Sequence, residues 1–141
     1  MTVRPPVRAV HLRPSMYVVV GAGGVVGTAA REALALGVHD VGGLPLAILL
    51  INVVGAFALG LLLEALLRLG PDVGAHRLVR LGAGTGFCGG FTTYSTLAVG
   101  TAELLRSGTT GLALAYALGS VLLGAVASWA GAVVGARGAR R

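Results

Sequence analysis

Residues 82 to 96 read Gly-Ala-Gly-Thr-Gly-Phe-Cys-Gly-Gly-Phe-Thr-Thr-Tyr-Ser-Thr. Five of them are glycine, four are threonine and one is serine, and they lie inside an apolar stretch of spanning length. Such a run is a poor continuous helix, because each interior glycine costs about 1 kcal/mol against alanine. Backbone groups freed in lipid survive only where protein or a water-lined cavity covers them. The segment is therefore expected to be a broken transmembrane helix, and broken helices in membranes are where ions and small solutes bind. Asn52 stands about eight residues into another apolar stretch. Polar groups at that depth are expensive and face a bundle interior or a cavity. Its amide has two N–H groups to offer a dehydrated anion; the plainer role is an interhelical hydrogen bond of about 0.6–2 kcal/mol. The pore role is the one expected. Tyr116, Ser120 and Ser128 recur at multiples of four, which puts them on one helix face. A hydroxyl stripe suits an anion track, or each hydroxyl bonds back to a carbonyl one turn earlier. Arg31 either draws anions or snorkels from near a span end.

The elements that must position these groups follow from the hydrophobic pattern. The chain has 141 residues, 55% hydrophobic and 11% charged, against roughly 25% charged in a soluble domain. It reads as an integral membrane protein of one domain. A span needs about 20 apolar residues, and the chain offers Met16–Leu36, Val41–Leu63, Leu81–Ala102 and Ser107–Ala136. The fold class is all-α with four transmembrane helices over residues 16–136, the third broken at its centre. Residues 1–15 are expected to be a disordered tail and 137–141 a basic one. Breakers mark the connections at Gly37–Pro45, Gly70-Pro71-Asp72 and Ser107-Gly108, and Thr109 or Thr110 is placed to cap the last helix. The pairs Gly23/Gly27, Gly82/Gly86, Gly86/Gly90 and Gly131/Gly135 fit close helix packing.

All eleven basic residues are arginine. Nine of them (Arg4, Arg8, Arg13, Arg68, Arg77, Arg80, Arg137, Arg140 and Arg141) fall on one side of the four spans, and two (Arg31 and Arg106) on the other. That bias puts both termini in the cytoplasm. It also makes the net charge of +6 a matter of topology, with no nucleic-acid partner expected. No cleavable signal peptide is evident. The single cysteine, Cys88, excludes an internal disulfide. Gly21-Ala-Gly23-Gly24-Val-Val26 falls short of a dinucleotide loop, since Val26 occupies the last glycine position. His11, His39 and His76 share no metal-ligand spacing. Glu64 reads as an interfacial carboxylate, Glu32 as a neutraliser of Arg31, and Glu103 with Arg106 as a surface pair. No nucleophile has a base in pattern with it, so no enzyme is expected.

The run Gly86-Phe87-Cys88-Gly89-Gly90-Phe91-Thr92-Thr93-Tyr94-Ser95-Thr96 strongly resembles the signature of the small bacterial fluoride ion channels, the CrcB or Fluc family. Gly24-x-x-Gly27-x-x-x-Arg31, Asn52-x-x-Gly55 and Tyr116-x-x-Gly119-Ser120 match in order and spacing, so the resemblance covers Tyr17 to Gly135. It implies four-span subunits in the bacterial plasma membrane, paired antiparallel in the lipid, that passively export fluoride and relieve its toxicity. It implies a structural sodium ion at the dimer interface, held by the main-chain carbonyls of Gly89 and Thr92; oxygen ligands suit a hard cation. It implies pores lined by Asn52, by Thr93, Tyr94, Ser95 and Leu97, and by the Tyr116, Ser120 and Ser128 track. Tyr94 and Leu97 stand where the family has phenylalanines, Gly100 where glutamate is common, and Gly124 where the track has a hydroxyl. An antiparallel homodimer needs a weak charge bias. The arginine count therefore points to a heterodimer with an oppositely oriented paralogue. The competing readings are a four-helix, proton-coupled exporter of cationic drugs, and a non-conducting subunit that supports a paralogue's pore.

Overall fold

The computed structural model describes residues 14–40 and 42–138. Most of the two expected tails, and the five arginines within them at positions 4, 8, 13, 140 and 141, lie outside the described residues. Among the described residues the regular elements are all helices. Helix α1 is Pro14–Gly37, α2 Leu46–Leu69, α3 Gly74–Val79, α4 Gly89–Phe91, α5 Ser95–Arg106 and α6 Thr110–Gly138, with a π-helical segment, Arg80–Cys88, between α3 and α4. Pro14 sits in the first turn of α1, where its missing N–H is no loss. The 24 residues of α1 or α2 make a rod of about 36 Å, longer than a hydrocarbon core of about 30 Å. Among the described residues three helices, α1, α2 and α6, are long and apolar enough to cross a membrane.

The third stretch differs from its sequence expectation in where it gives way. Its glycine-rich half does not unwind: the helical path runs unbroken from Gly74 to Phe91, with i→i+5 winding through residues 80–88. The break is confined to Thr92–Tyr94, and it begins where Thr92 turns extended (φ −80°, ψ 157°). Packing offsets the low helix propensity of the glycines. A Cβ on Gly23 would overlap the carbonyl oxygen of Gly82, one on Gly27 that of Phe87, and one on Gly90 that of Gly24. Helix α1 and the π segment therefore touch backbone to backbone, which only residues without side chains allow. The second seam, α2 on α6, repeats the device: Gly60 faces the carbonyl of Ser128, and Gly131 faces that of Phe57. All four small-residue pairs singled out in the sequence lie in these two seams. Helix α5 packs chiefly on α6. The core between them and α2 holds Ile48, Ile51, Phe91, Leu97, Leu104 and Tyr116.

The turn from α5 to α6 closes on Gly108 (φ 79°), with Gly108 N–H donating to Leu105 O at 3.1 Å and Thr109 N–H to Leu104 O at 3.0 Å. This paired closure is the glycine C-cap that the Ser107-Gly108 dipeptide suggests. The Thr109 hydroxyl does not cap α6; it donates back to Leu104 O at 2.8 Å. Among the described residues Glu103 and Arg106 form no ion pair, nor do Arg31 and Glu32, whereas Glu64 pairs with Arg68 at 2.7 Å. The α2–α3 turn is tied by Asp72, which accepts from Arg80 through both carboxylate oxygens at 2.9 and 3.0 Å.

The Arg80 hydrogen bond, with help from Arg77, holds the Asp72 carboxyl below its ordinary range. A lowered folded-state value means the contribution is complete above the ordinary carboxylate range, about pH 4. It is lost as the pH falls through the folded value. Thermal melts of the wild-type protein are expected to show a small acid limb below that pH, which Asp72→Asn removes. The carboxylate is exposed, so added salt should shrink the limb.

Candidate functional site

The site assembles around the break, where three elements each supply a different kind of contact. Asn52 on α2 reaches Thr93 twice: its Nδ2 donates to Thr93 O at 2.9 Å, and its Oδ1 accepts from Thr93 N–H at 2.8 Å. The side chain thus stands in for a neighbouring peptide group at the point where the helix stops being one. One turn along the same face, Gly55 leaves a notch that the Thr92 methyl fills, beside the Phe91 ring. The Asn52-x-x-Gly55 spacing is therefore a single receptor for residues 91–93.

The main-chain accounting follows from these contacts. A continued helix would give Thr93 N–H to Gly89 O and Thr96 N–H to Thr92 O. Thr93 N–H goes to Asn52 instead, and Thr96 N–H goes to the Thr93 hydroxyl at 3.2 Å, which caps α5. Gly89 and Thr92 are thus the two residues whose carbonyls lose their helical donors to side-chain oxygens. Cys88 O is taken by Thr92, from N–H at 2.9 Å and from Oγ1 at 2.8 Å. Gly90 O is taken by α1, from Arg31 Nη1 at 3.1 Å and from Thr28 Oγ1 at 3.4 Å. Gly89 itself is exposed.

The remaining expected residues fall in two groups. Beside the break, an open groove of about 310 Å³ is lined by Asn52, Thr92, Thr93, Tyr94 and Leu97. Tyr94 is 82% exposed there, while Leu97 is 8% exposed and packs inward. Ser95 joins through its hydroxyl, 3.2 Å from Thr93 Oγ1, and Thr96 Oγ1 lies 3.1 Å from the same atom. On α6, Tyr116 and Ser120 line a second groove of about 170 Å³ with Leu44 and Leu49. Leu97 stands between the two, since it lines the first groove and shares the core cluster with Tyr116. Ser128 lines neither groove; its main chain is packed against Gly60 in the α2–α6 seam.

Several side chains carry bonds that are among the alternatives open in the sequence, or that it does not show. One Asn52 N–H is spent on Thr93, which leaves one and not two for a ligand. Ser120 donates to Tyr116 O at 2.6 Å, the back-bond one turn earlier. The Tyr116 hydroxyl is buried and has no hydrogen-bond partner among the described residues. Arg31 is half-buried, and its Nη1 donates to Gly90 O at 3.1 Å. Thr28 and Thr96 went unnoticed in the sequence. Thr28 shares a helix face with Arg31 three residues on, and Thr96 sits three residues after Thr93, the spacing of a helix cap. The aromatic pair in contact is Phe87 with Phe91, stacked at 5.5 Å.

These features can be set beside known proteins. The family described as "CrcB-like protein, Camphor Resistance (CrcB)" matches residues 18–132. A protein of Leifsonia xyli named fluoride-specific ion channel FluC 2 is 46% identical over 133 residues, 94% of this chain and 92% of its own length. Fluoride-specific ion channel FluC 1 of Cutibacterium acnes is 45% identical over 118 residues, 83% of this chain and 82% of the relative. FluC of Deinococcus radiodurans is 46% identical over 119 residues, 82% and 90% of the two chains.

Proposed function

The chain belongs to the CrcB-like family, and on that premise we propose that it is a subunit of a fluoride-specific channel that passively exports fluoride and relieves its toxicity. It is a multi-pass membrane protein and a channel component, not an enzyme. The observation that carries the reading is the break at Thr92–Tyr94, held open by the two Asn52 bonds at 2.8 and 2.9 Å. In this reading α3, the π segment, α4 and α5 together make the third crossing, which with α1, α2 and α6 brings the number to four.

Fluoride is small and strongly hydrated, so a pore must replace its water with close N–H, O–H and ring-edge contacts. Asn52, Thr93 and Tyr94 line the groove at the break, where the second Asn52 N–H and the Tyr94 hydroxyl are donors to offer, with Ser95 Oγ 3.2 Å behind the Thr93 hydroxyl. The Tyr116 hydroxyl is buried and without a hydrogen-bond partner among the described residues, so it would serve as an O–H donor of the track only where a local shift opens it to the α6 groove. Leu97 has no ring edge and serves as an apolar wall. Ser128 would join the track only through movement or through a neighbouring subunit.

A sodium ion fits the donor set at the break. Gly89 and Thr92 carbonyls are stripped of their helical donors, and neutral oxygens are what a hard cation takes. When bound, the ion supplies the positive charge that satisfies those oxygens. One subunit gives too few of them, so a second, antiparallel subunit would complete the shell. We take the partner to be a paralogue, because nine of eleven arginines lie on one side and set both termini in the cytoplasm of the bacterial cell. The relatives of Leifsonia xyli and Cutibacterium acnes carry numbered names, which agrees with paired genes. A supporting, non-conducting role for this subunit follows if Leu97 disables its own pore.

The exporter reading needs a carboxylate in the first span that substrate reaches from both sides. Glu32 is exposed near the end of α1 and adjacent to Arg31. Growth separates the readings. In cells lacking their own fluoride export, the chain with an oppositely oriented relative should restore growth in fluoride and leave sensitivity to cationic dyes unchanged. Dye resistance lost on Glu32→Gln, with no fluoride phenotype, would favour the exporter.

A further inference from the structure

A helix that ends inside a protein leaves four carbonyls to be satisfied, and here they belong to Cys88, Gly89, Gly90 and Phe91. The structure gives two of them partners from outside the helix backbone; of the other two, Phe91 is a buried residue and Gly89 an exposed one. Cys88 O is closed locally by Thr92, whereas Gly90 O is closed from another element by Arg31 and Thr28 of α1. We propose that Arg31, assisted by Thr28, is a positioning residue that pins the Gly90 carbonyl to α1 and so decides that Gly89 presents the open oxygen at the break.

Three observations carry this. First, the guanidinium is half-buried and its observed bond at 3.1 Å is to a main-chain oxygen, with no carboxylate partner among the described residues. A cation at a helix C-terminus is stabilised by the partial negative charge of the last carbonyls, most of all when partly buried. Second, Thr28 lies three residues before Arg31 and lands on the same oxygen, so one face of α1 supplies both donors. Third, the approach depends on Gly90: a Cβ there would overlap Gly24 O and stand 3.0 Å from the Thr28 hydroxyl. The Gly24-x-x-x-Thr28-x-x-Arg31 row is thus built to receive one specific peptide. Neither an anion lure nor a snorkelling arginine requires that row.

The assignment rests on the sodium reading above, and the test separates the two. The channel is purified in the assembly that conducts, and its melting temperature and fluoride efflux are titrated with NaCl against N-methylglucamine chloride. Groups that orient metal ligands typically change metal affinity by about 10- to 100-fold when removed. Arg31→Ala is therefore expected to raise the sodium midpoint of both readouts by about tenfold or more. Arg31→Lys, which keeps a cationic donor, should recover most of it, and Thr28→Val should shift it by a smaller factor. Arg106→Gln, on the exposed end of α5, should leave it alone. If Arg31→Ala does not fold, Arg31→Gln, which removes the cation but keeps an amide donor, and Thr28→Val still have to shift the midpoint. A sodium midpoint unchanged in the folded variants, with fluoride flux reduced, overturns the assignment and makes Arg31 a residue that acts on the anion. A wild-type protein indifferent to sodium overturns the cation reading itself and the assignment with it.

Discussion

Asn52→Ala is expected to remove nearly all fluoride flux and to lower the melting temperature in the same step. The substitution strips partners from both the N–H and the carbonyl of Thr93, a residue only 8% exposed. Each polar group left buried without a partner costs about 1–3 kcal/mol, so the open form of the break loses about 2–6 kcal/mol. At 1.4 kcal/mol per decade that is a fall of more than about tenfold in the population of the conducting geometry. The loss of the amide N–H facing the groove then adds to it. A pore-lining side chain with no other duty would lower flux and leave melting unchanged, so the two readouts together tell the roles apart. Asn52→Asp sharpens the comparison. It keeps an acceptor for Thr93 N–H but sets a carboxylate oxygen against Thr93 O, and it should fail nearly as badly. Flux by electrode and melting by tryptophan emission, from the single Trp129, measure both quantities on one preparation.

The second large effect is expected at the α1 seam. Gly27→Val should prevent assembly, or lower stability by more than the about 1–3 kcal/mol typical of overpacked sites. The new side chain would meet the main chain of Phe87, with even its Cβ 2.9 Å from the carbonyl carbon and overlapping the oxygen. Backbone cannot step aside as a rotamer can, so α1 must separate from the π segment and carry Arg31 and Thr28 away from Gly90. Gly21→Ala, six residues earlier on the same helix, meets nothing within 4 Å. It should be neutral or stabilising by up to about 1 kcal/mol, the ordinary helix preference for alanine. Size-exclusion profiles and melting in detergent compare the two. Equal tolerance of both substitutions would contradict the backbone-to-backbone contact.

Much of the fold is legible in the sequence because lipid simplifies the rules. Long apolar runs between Gly/Pro breakers mark α1, α2 and α6, and small residues four apart mark the seams. The broken stretch is legible in kind but not in place. Propensity alone puts the failure at the glycines, whereas the structure keeps Gly82–Gly90 helical and breaks at Thr92. The difference is tertiary: the glycines gain close contact with α1, and the side-chain oxygens of Asn52 and Thr93 take over the N–H groups of Thr93 and Thr96. Asn52 announces itself as an intramembrane amide, yet only its distance from Thr93 reveals that half of its hydrogen-bonding capacity goes into holding the break. Charge pairs are the least legible. Glu103 and Arg106 have the spacing of a pair and make none, while Asp72 reaches forward eight residues to Arg80 across a turn. The hydroxyl stripe of α6 is visible as a period of four, and the back-bond of Ser120 to Tyr116 O is one of its two single-helix readings, but the packing of Ser128 into the α2–α6 seam comes from a neighbour that a single helix does not show.

The most direct measurement is fluoride release from liposomes that carry the purified protein with an oppositely oriented relative, followed with a fluoride electrode beside a parallel chloride record. The structure and the family membership predict rapid, passive loss of fluoride down its gradient, with chloride retained and with no dependence on a proton gradient. Vesicles that hold their fluoride, or that lose both halides at similar rates, would contradict the assignment of this chain to a fluoride channel.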